Sequence, residues 1–394
     1  MKRVYRWHRA AEATLGDELP SSASMAAPAP ALPRPLASGA SAFRASPGLR
    51  RLAWTTLAYT VLVILWGAFV RATGAGAGCG DHWPLCNGQV VPRGAETATL
   101  VEFGHRVTSG LLGLMILGVG VWAWRVAPRG HGVRRWAVAS VVLTGVEAAI
   151  GAVLVKLELV ALSVDVARPL VMMLHLVNTL LLLGALGVLA WGLAGRPTLR
   201  FRSHAAHGDD AAADPALGRW TLGLLAAFVV LGASGAVTAL GDTLAIHGGI
   251  DPAEVPLVAT LVGLRVYHPL LAILVTALTV AVVWRALSGA VASWHARRLG
   301  RVLVGLLALQ LVIGLVNVWL LAPVWLQLVH LAVTDAIWLA AVWMACEATG
   351  VRVAEPMPEP SAAGMPEGGD GSARGIVHGG AISMADGGAA TLVR

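Results

Sequence analysis

Residues 101–124 read VEFGHRVTSGLLGLMILGVGVWAW: Glu102, His105 and Arg106 stand together, and an unbroken apolar run follows them. The run from 104 to 124 is long enough to cross a hydrocarbon layer as a helix, which takes roughly 20 residues. Charged or titratable groups this close to lipid are costly and mark working sites. Seven further runs of similar length occupy approximately residues 52–70, 136–155, 169–193, 220–240, 265–287, 302–321 and 324–346. They are continuously apolar, whereas a membrane barrel would alternate apolar and polar residues in short segments. With 57% hydrophobic and 13% charged residues in a chain of 394, the fold class is an all-α integral membrane protein of eight transmembrane helices.

Arginine distribution orients the spans. Arg50 and Arg51 precede the first. Arg125, Arg129, Arg134 and Arg135 follow the second, Arg196, Arg200, Arg202 and Arg219 the fourth, and Arg285, Arg297, Arg298 and Arg301 the sixth. The alternate connections are poorer in Arg and Lys, so both termini are expected in the cytoplasm and the protein in a bacterial cell membrane. The sequence pI near 10.1 then reflects topology, and no motif for nucleic acid accompanies it. Residues 1–49, rich in Ala, Pro, Ser and Arg, and 349–394, rich in Gly, Ala, Pro and Glu, read as disordered cytoplasmic tails. Glu12, Asp17 and Glu18 argue against a transit peptide in the first of them.

The spans repeat in two sets. WGAFVRATG (66–74) matches SGAVTALGD (234–242), and Glu147 in EAAIG matches Gln310 in QLVIG. His105 matches His268, and His175 in MMLHLVNTL matches His330 in QLVHLAVTD. The expected architecture is two pseudo-symmetric four-helix bundles, residues 50–196 and 219–348, joined by a cytoplasmic linker at 197–218. Each set holds an even number of spans, so the relating axis runs along the membrane normal. All four histidines then fall near the starts of spans that run in one direction, at one outer depth. Taken singly, a histidine on an apolar helix is ordinarily a packing or interfacial residue. Two facing imidazoles in each bundle are the arrangement that holds a heme iron by both axial positions. Zinc would want further ligands, although Glu102 and His105 at i, i+3 keep a carboxylate-bridged metal site open.

The two sets differ outside the spans. The first outer connection, TGAGAGCGDHWPLCNGQVVPRGAET, holds Cys79 and Cys86 on the oxidising side of the membrane; GDTLAIHGGIDPAEVPLVAT after the fifth span has no cysteine. A structural disulfide is the favoured reading of the pair, with a redox-active pair or a metal pair as alternatives. His82 reads as an exposed loop residue and Cys346 as a free structural thiol. Glu102 has Arg265 as its counterpart, so this carboxylate belongs to the first set alone. One turn outward from His105, it can take protons or stabilise positive charge on a bound molecule; otherwise it is a first-turn Glu favoured by the helix dipole.

GAFVRATGAGAGCGDHWPLCNG followed by VEFGHRVTSG, with the paired histidines and the four-plus-four repeat, resembles the heme A synthase family, over residues 52–346. The resemblance implies oxidation of a ring methyl of heme O to a formyl group, by successive hydroxylations with water-derived oxygen, for cytochrome oxidase. It implies His105 and His175 as ligands of the substrate heme, His268 and His330 as ligands of a resident heme b, and Glu102 as the catalytic carboxylate. Cys79 and Cys86 become the outer-loop disulfide pair of the two-cysteine bacterial subgroup. A heme O synthase as supplier and an oxidase assembly factor as receiver are implied partners, beside membrane lipid; the oligomeric state is open. Arg71, Arg106 and Arg265, at outer helix ends, are candidate partners of heme propionates or interfacial anchors. A di-heme cytochrome exchanging electrons with quinone shares the four histidines but leaves Glu102 unexplained. A transporter of parallel repeats would want polar or broken helices near the midplane.

Overall fold

A computed structural model describes residues 43–199, 215–288 and 294–349. Residues 1–42 and 350–394 of the expected tails, and 200–214 of the expected linker, lie outside it. Nine α-helices occur among the described residues: α1 (Pro47–Ala72), α2 (Thr97–Val126), α3 (Gly132–Lys156), α4 (Arg168–Leu193), α5 (Pro215–Asp242), α6 (Pro256–Leu264), α7 (Tyr267–Ser288), α8 (Trp294–Trp319) and α9 (Val324–Thr349). Eight helical spans are long and apolar enough to cross a membrane, with α6 and α7 forming one of them. Only helices satisfy every backbone group within an open segment in lipid, so continuous apolar runs fold this way.

The helices reach beyond the apolar runs that announced them. Ser46 caps α1 by accepting from Leu49 N, and Pro47 occupies the first turn, where its missing N–H costs nothing. α2 starts at Thr97, seven residues before the hydropathic run, so Glu102 and His105 lie in its second and third turns and do not open it. α8 starts at Trp294 and carries Arg297, Arg298 and Arg301 on a helical turn where a connection was expected. In each case polar residues continue the helix past the hydrocarbon edge, where hydropathy is blind to them.

The connection after the fifth span also departs from expectation. It contains a π-helical turn, Thr243–His247, and then α6, which together bury Leu240, Leu244, Val258 and Leu261 in a small core of their own. α6 gives way to α7 at Arg265 and Val266. Pro269 sits in the first turn of α7, and its ring is incompatible with a helical carbonyl four residues earlier, at Arg265.

Helix neighbours fall into two rings. α1 packs on α2 and α4, and α3 on α2 and α4; α5 packs on α7 and α9, and α8 on α7 and α9. α4 contacts α5 and α9 across the middle, and α1 also contacts α9. The main core sits there, from Leu180 to Leu193 on α4 and from Ile337 to Cys346 on α9. Trp338 Nε1 donates to Leu180 O (2.7 Å) and Trp343 Nε1 to Gly187 O (3.0 Å). Gly184 lets the Trp338 indole lie against α4, the close approach that membrane helices use in place of a hydrophobic driving force. Leu114, Val142, Leu274 and Leu315 face outward, as lipid-facing residues should.

Candidate functional site

Alternating helix direction gathers the ends of α1 and α5 and the starts of α2, α4, α7 and α9 at one face. α1 turns out of its helix at Gly74, whose φ of 69° suits glycine, and passes through a short 3-10 turn into the cysteine loop. Cys79 and Cys86 are joined by a disulfide. The loop lies hard against α2: a β-carbon at Gly78 would stand 2.5 Å from the backbone carbon of Ala98. Thr99 Oγ1 (2.7 Å) and Asn87 Nδ2 (3.1 Å) both donate to Gly78 O, fixing the approach.

Glu102 sits under this contact and is 4% exposed. Cys79 N donates to its Oε2 (2.8 Å), while Arg106 Nη2 (2.5 Å) and Nε (3.2 Å) donate to its Oε1. Arg106 Nη1 in turn donates to the carbonyls of His82 and Leu85 within the loop. The carboxylate is thus held by a neighbouring guanidinium and a backbone N–H, with the disulfide loop as its roof. His82 is about half exposed and pairs with Asp81 at 3.3 Å.

His105 projects one turn further along α2, its ring seated on α1. A β-carbon at Gly67 would stand 2.9 Å from His105 Cε1, so only glycine leaves the ring where it is. Trp66 Nε1 donates to Val101 O (3.1 Å), keeping this part of α1 against α2. In the second ring of helices, a β-carbon at Gly235 would stand 3.1 Å from His268 Cε1, and one at Gly314 3.5 Å from His330 Cε1. Gly67 and Gly235 are the residues that the repeat aligns. Ser234 Oγ lies 2.9 Å from His268 Nδ1, and the His268 and His330 rings are 6.5 Å apart at 66°. All four imidazoles are half-buried. Nδ1 of His105, His175 and His330 is buried with no hydrogen bond among the described residues. Unpartnered buried nitrogens are rare in finished structures and mark strained, reactive or water-linked positions.

The three arginines at this face all have protein partners. Arg71 donates to Ala239 O (2.8 Å), Thr243 Oγ1 (2.6 Å) and Gln327 Oε1 (2.7 Å), tying α1 to α5, the π-helical turn and α9. Arg106 is committed to Glu102 and the loop. Arg265 lies 3.6 Å from Asp242 and is half exposed, the least committed of the three. Cys346 is a free thiol, buried at the far end of α9. A residue not assigned a role from sequence also lies here: Glu147 Oε1 is 3.4 Å from His175 Nδ1. Its signal was a carboxylate in the middle of an apolar span.

The sequence pattern of the COX15-CtaA cytochrome oxidase assembly proteins matches residues 50–342, most of the chain. A protoheme IX farnesyltransferase of Thermus thermophilus is 44% identical over 304 residues, covering 75% of this chain and 48% of that protein. The chain therefore spans about half the length of that relative. The heme A synthase of Geobacillus kaustophilus is 43% identical over 107 residues, 26% of this chain and 33% of the relative. That of Shouchella clausii is 44% identical over 78 residues, 20% of this chain and 26% of the relative. With its matched region running from the start of α1 nearly to the end of α9, this multi-pass membrane chain belongs to the heme A synthase family, the COX15-CtaA cytochrome oxidase assembly proteins.

Proposed function

We propose that the protein is a heme A synthase, oxidising a ring methyl of heme O to a formyl group. The observation that carries this reading is the pairing of a buried, oriented carboxylate with a glycine-seated imidazole one turn away, in one half of the molecule only. In this reading the chain is two pseudo-symmetric bundles, 50–196 and 219–348, with both termini cytoplasmic. His105 and His175 hold the substrate heme; His268 and His330 hold a heme b. The residues fit such planar groups: Gly67 and Gly235 let the His105 and His268 rings lie close against the neighbouring helix, and no hydrogen bond among the described residues engages Nε2 of the four imidazoles, the atom that would face iron. A bound heme b would supply one-electron redox capacity beside the substrate site.

The chain's own contribution is positioning and charge. Oxidising a methyl carbon leaves it electron-poor, and water must lose protons as its oxygen is added. Glu102 stands on the histidine side of α2 with its negative charge fixed in place, so it opposes the developing positive charge without having to reorganise. Its Arg106 and Cys79 partners hold it oriented and are themselves held by the loop. Carboxylate, loop and disulfide thus act as one rigid unit, which supports a structural reading of Cys79–Cys86. Arg265, exposed and only loosely paired, remains the candidate propionate partner in the second bundle; Arg71 serves as a tie between helices instead.

The Thermus relative carries the name of the reaction that would make heme O, yet the match spans only half of it. A farnesyl-transfer reading is therefore the rival that needs a test. Purified protein supplied separately with heme O and an electron acceptor, or with heme b and farnesyl diphosphate, separates them. The proposal expects a hydroxymethyl or formyl heme in the first mixture and unchanged heme b in the second. Farnesylated heme in the second, with heme O untouched in the first, would overturn it.

A further inference from the structure

Glu147 lies well inside the α3 span, where a carboxylate is expensive, and the function above does not use it. Its Oε2 accepts from Asn178 Nδ2 (2.5 Å) and its Oε1 from Thr179 Oγ1. Asn178 Nδ2 also donates to Leu143 O (3.0 Å), so α4 grips both the carboxylate and the turn before it. Asn178 and Thr179 follow His175 at i+3 and i+4, on the same face of α4. They bring Glu147 Oε1 within 3.4 Å of His175 Nδ1, close enough for an ion pair but without the alignment of a hydrogen bond.

The second half offers an internal comparison. Gln310 on α8 holds the position that the repeat matches to Glu147. It donates through Nε2 to His330 O (3.1 Å) and Thr334 Oγ1 (2.7 Å), gripping α9 as Glu147 grips α4. Its Oε1 has no hydrogen bond among the described residues, and neither does His330 Nδ1. Pinning one helix to the next therefore needs only a neutral amide. A charge at the matching place in the first half must serve another group, and the imidazole beside it is the available one. A histidine that binds iron through Nε2 carries its hydrogen on Nδ1, and such ligands ordinarily donate it to a carboxylate or carbonyl.

We propose that Glu147 is a positioning residue for His175: it accepts the Nδ1–H hydrogen bond, fixes the ring orientation and tautomer that present Nε2, and makes this imidazole a stronger iron donor than His330. The inference rests on reading His175 as a heme ligand. It makes the heme of the first half harder to reduce than that of the second, because a negative group beside its ligand favours the ferric state.

The test uses the full-length protein purified with its hemes, with protoheme as the probe for rebinding, and compares Glu147→Gln, Gln310→Glu and His175→Ala. Glu147→Gln makes the first half resemble the second without changing side-chain size. The expected result is roughly tenfold weaker protoheme retention in the first half, the usual scale for losing such a partner. With it come altered ferric low-spin resonance values, and a several-fold lower ratio of oxidised to reduced heme at a fixed potential. Gln310→Glu should move the second-half heme in the opposite direction, and it carries the test alone if Glu147→Gln does not fold. Wild-type affinity, resonance and redox behaviour in Glu147→Gln, while His175→Ala loses the first-half heme, would overturn the inference and leave the ligand reading standing. A His175→Ala protein that keeps both hemes with unchanged resonances would remove the ligand reading, and the inference with it.

Discussion

A single methyl group tests how His105 is seated. In Gly67→Ala the new β-carbon would stand 2.9 Å from the ring, closer than packed carbon atoms come, so the imidazole must turn or α1 must back away. Heme content per protein, read from the absorbance of the purified protein, should fall roughly tenfold in the first half and stay whole in the second. Gly235→Ala should do the reverse through His268. Glu102→Gln keeps the shape and the acceptor for Cys79 N but removes the charge. Heme should be retained while heme A formation drops about 100-fold or more, the scale for losing a preorganised charge; normal turnover in that variant would take Glu102 out of the mechanism. The four histidines and Glu102 stand out in the sequence as candidates because spacing against apolar runs makes a titratable residue conspicuous. Of the groups that hold Glu102, Arg106 follows helix periodicity at i+4, but the loop amide was not legible: Cys79 N lies 23 positions away, and nothing periodic links it to a helix face.

At the scale of elements, Arg71 has partners that its position alone does not announce. As the last basic residue of an apolar helix it resembles an interfacial anchor, yet its three hydrogen bonds run to α5, the π-helical turn and α9. Arg71→Leu removes all three bonds but orphans only Gln327 Oε1, since Thr243 Oγ1 still donates to Ala239 O, and should cost roughly 1–3 kcal/mol in the stability of the helix assembly. A thermal melt followed by heme release should show the loss; an unchanged melt would contradict the tie. Hydropathy found the spans because lipid demands continuous apolar surface. It misplaced the start of α2 by seven residues, where water satisfies the polar side chains, and it began the sixth span at Arg265, leaving out α6, whose nine residues are apolar but too few to cross alone.

For the molecule as a whole, the arginine-rich connections set the expected orientation, and a C-terminal fusion tests it. A fluorescent protein attached after Arg394 should glow and an alkaline phosphatase there should be inactive; the opposite pair of results would invert the topology. The repeat leads to an expectation of two sets of four helices, but it does not place the core between α4 and α9, and the proposed division of labour rests on differences between the sets: Glu102 against Arg265, Glu147 against Gln310, a disulfide loop against α6. The measurement that bears most directly on the proposal is expression beside a heme O synthase in a host that makes no heme A, with the hemes then extracted and resolved by chromatography and mass. Heme A or its hydroxymethyl precursor, appearing only when this protein is present and vanishing in Glu102→Gln, is the predicted result. Only heme b and unmodified heme O, from folded and heme-loaded protein, would contradict it and favour an electron-transferring di-heme cytochrome.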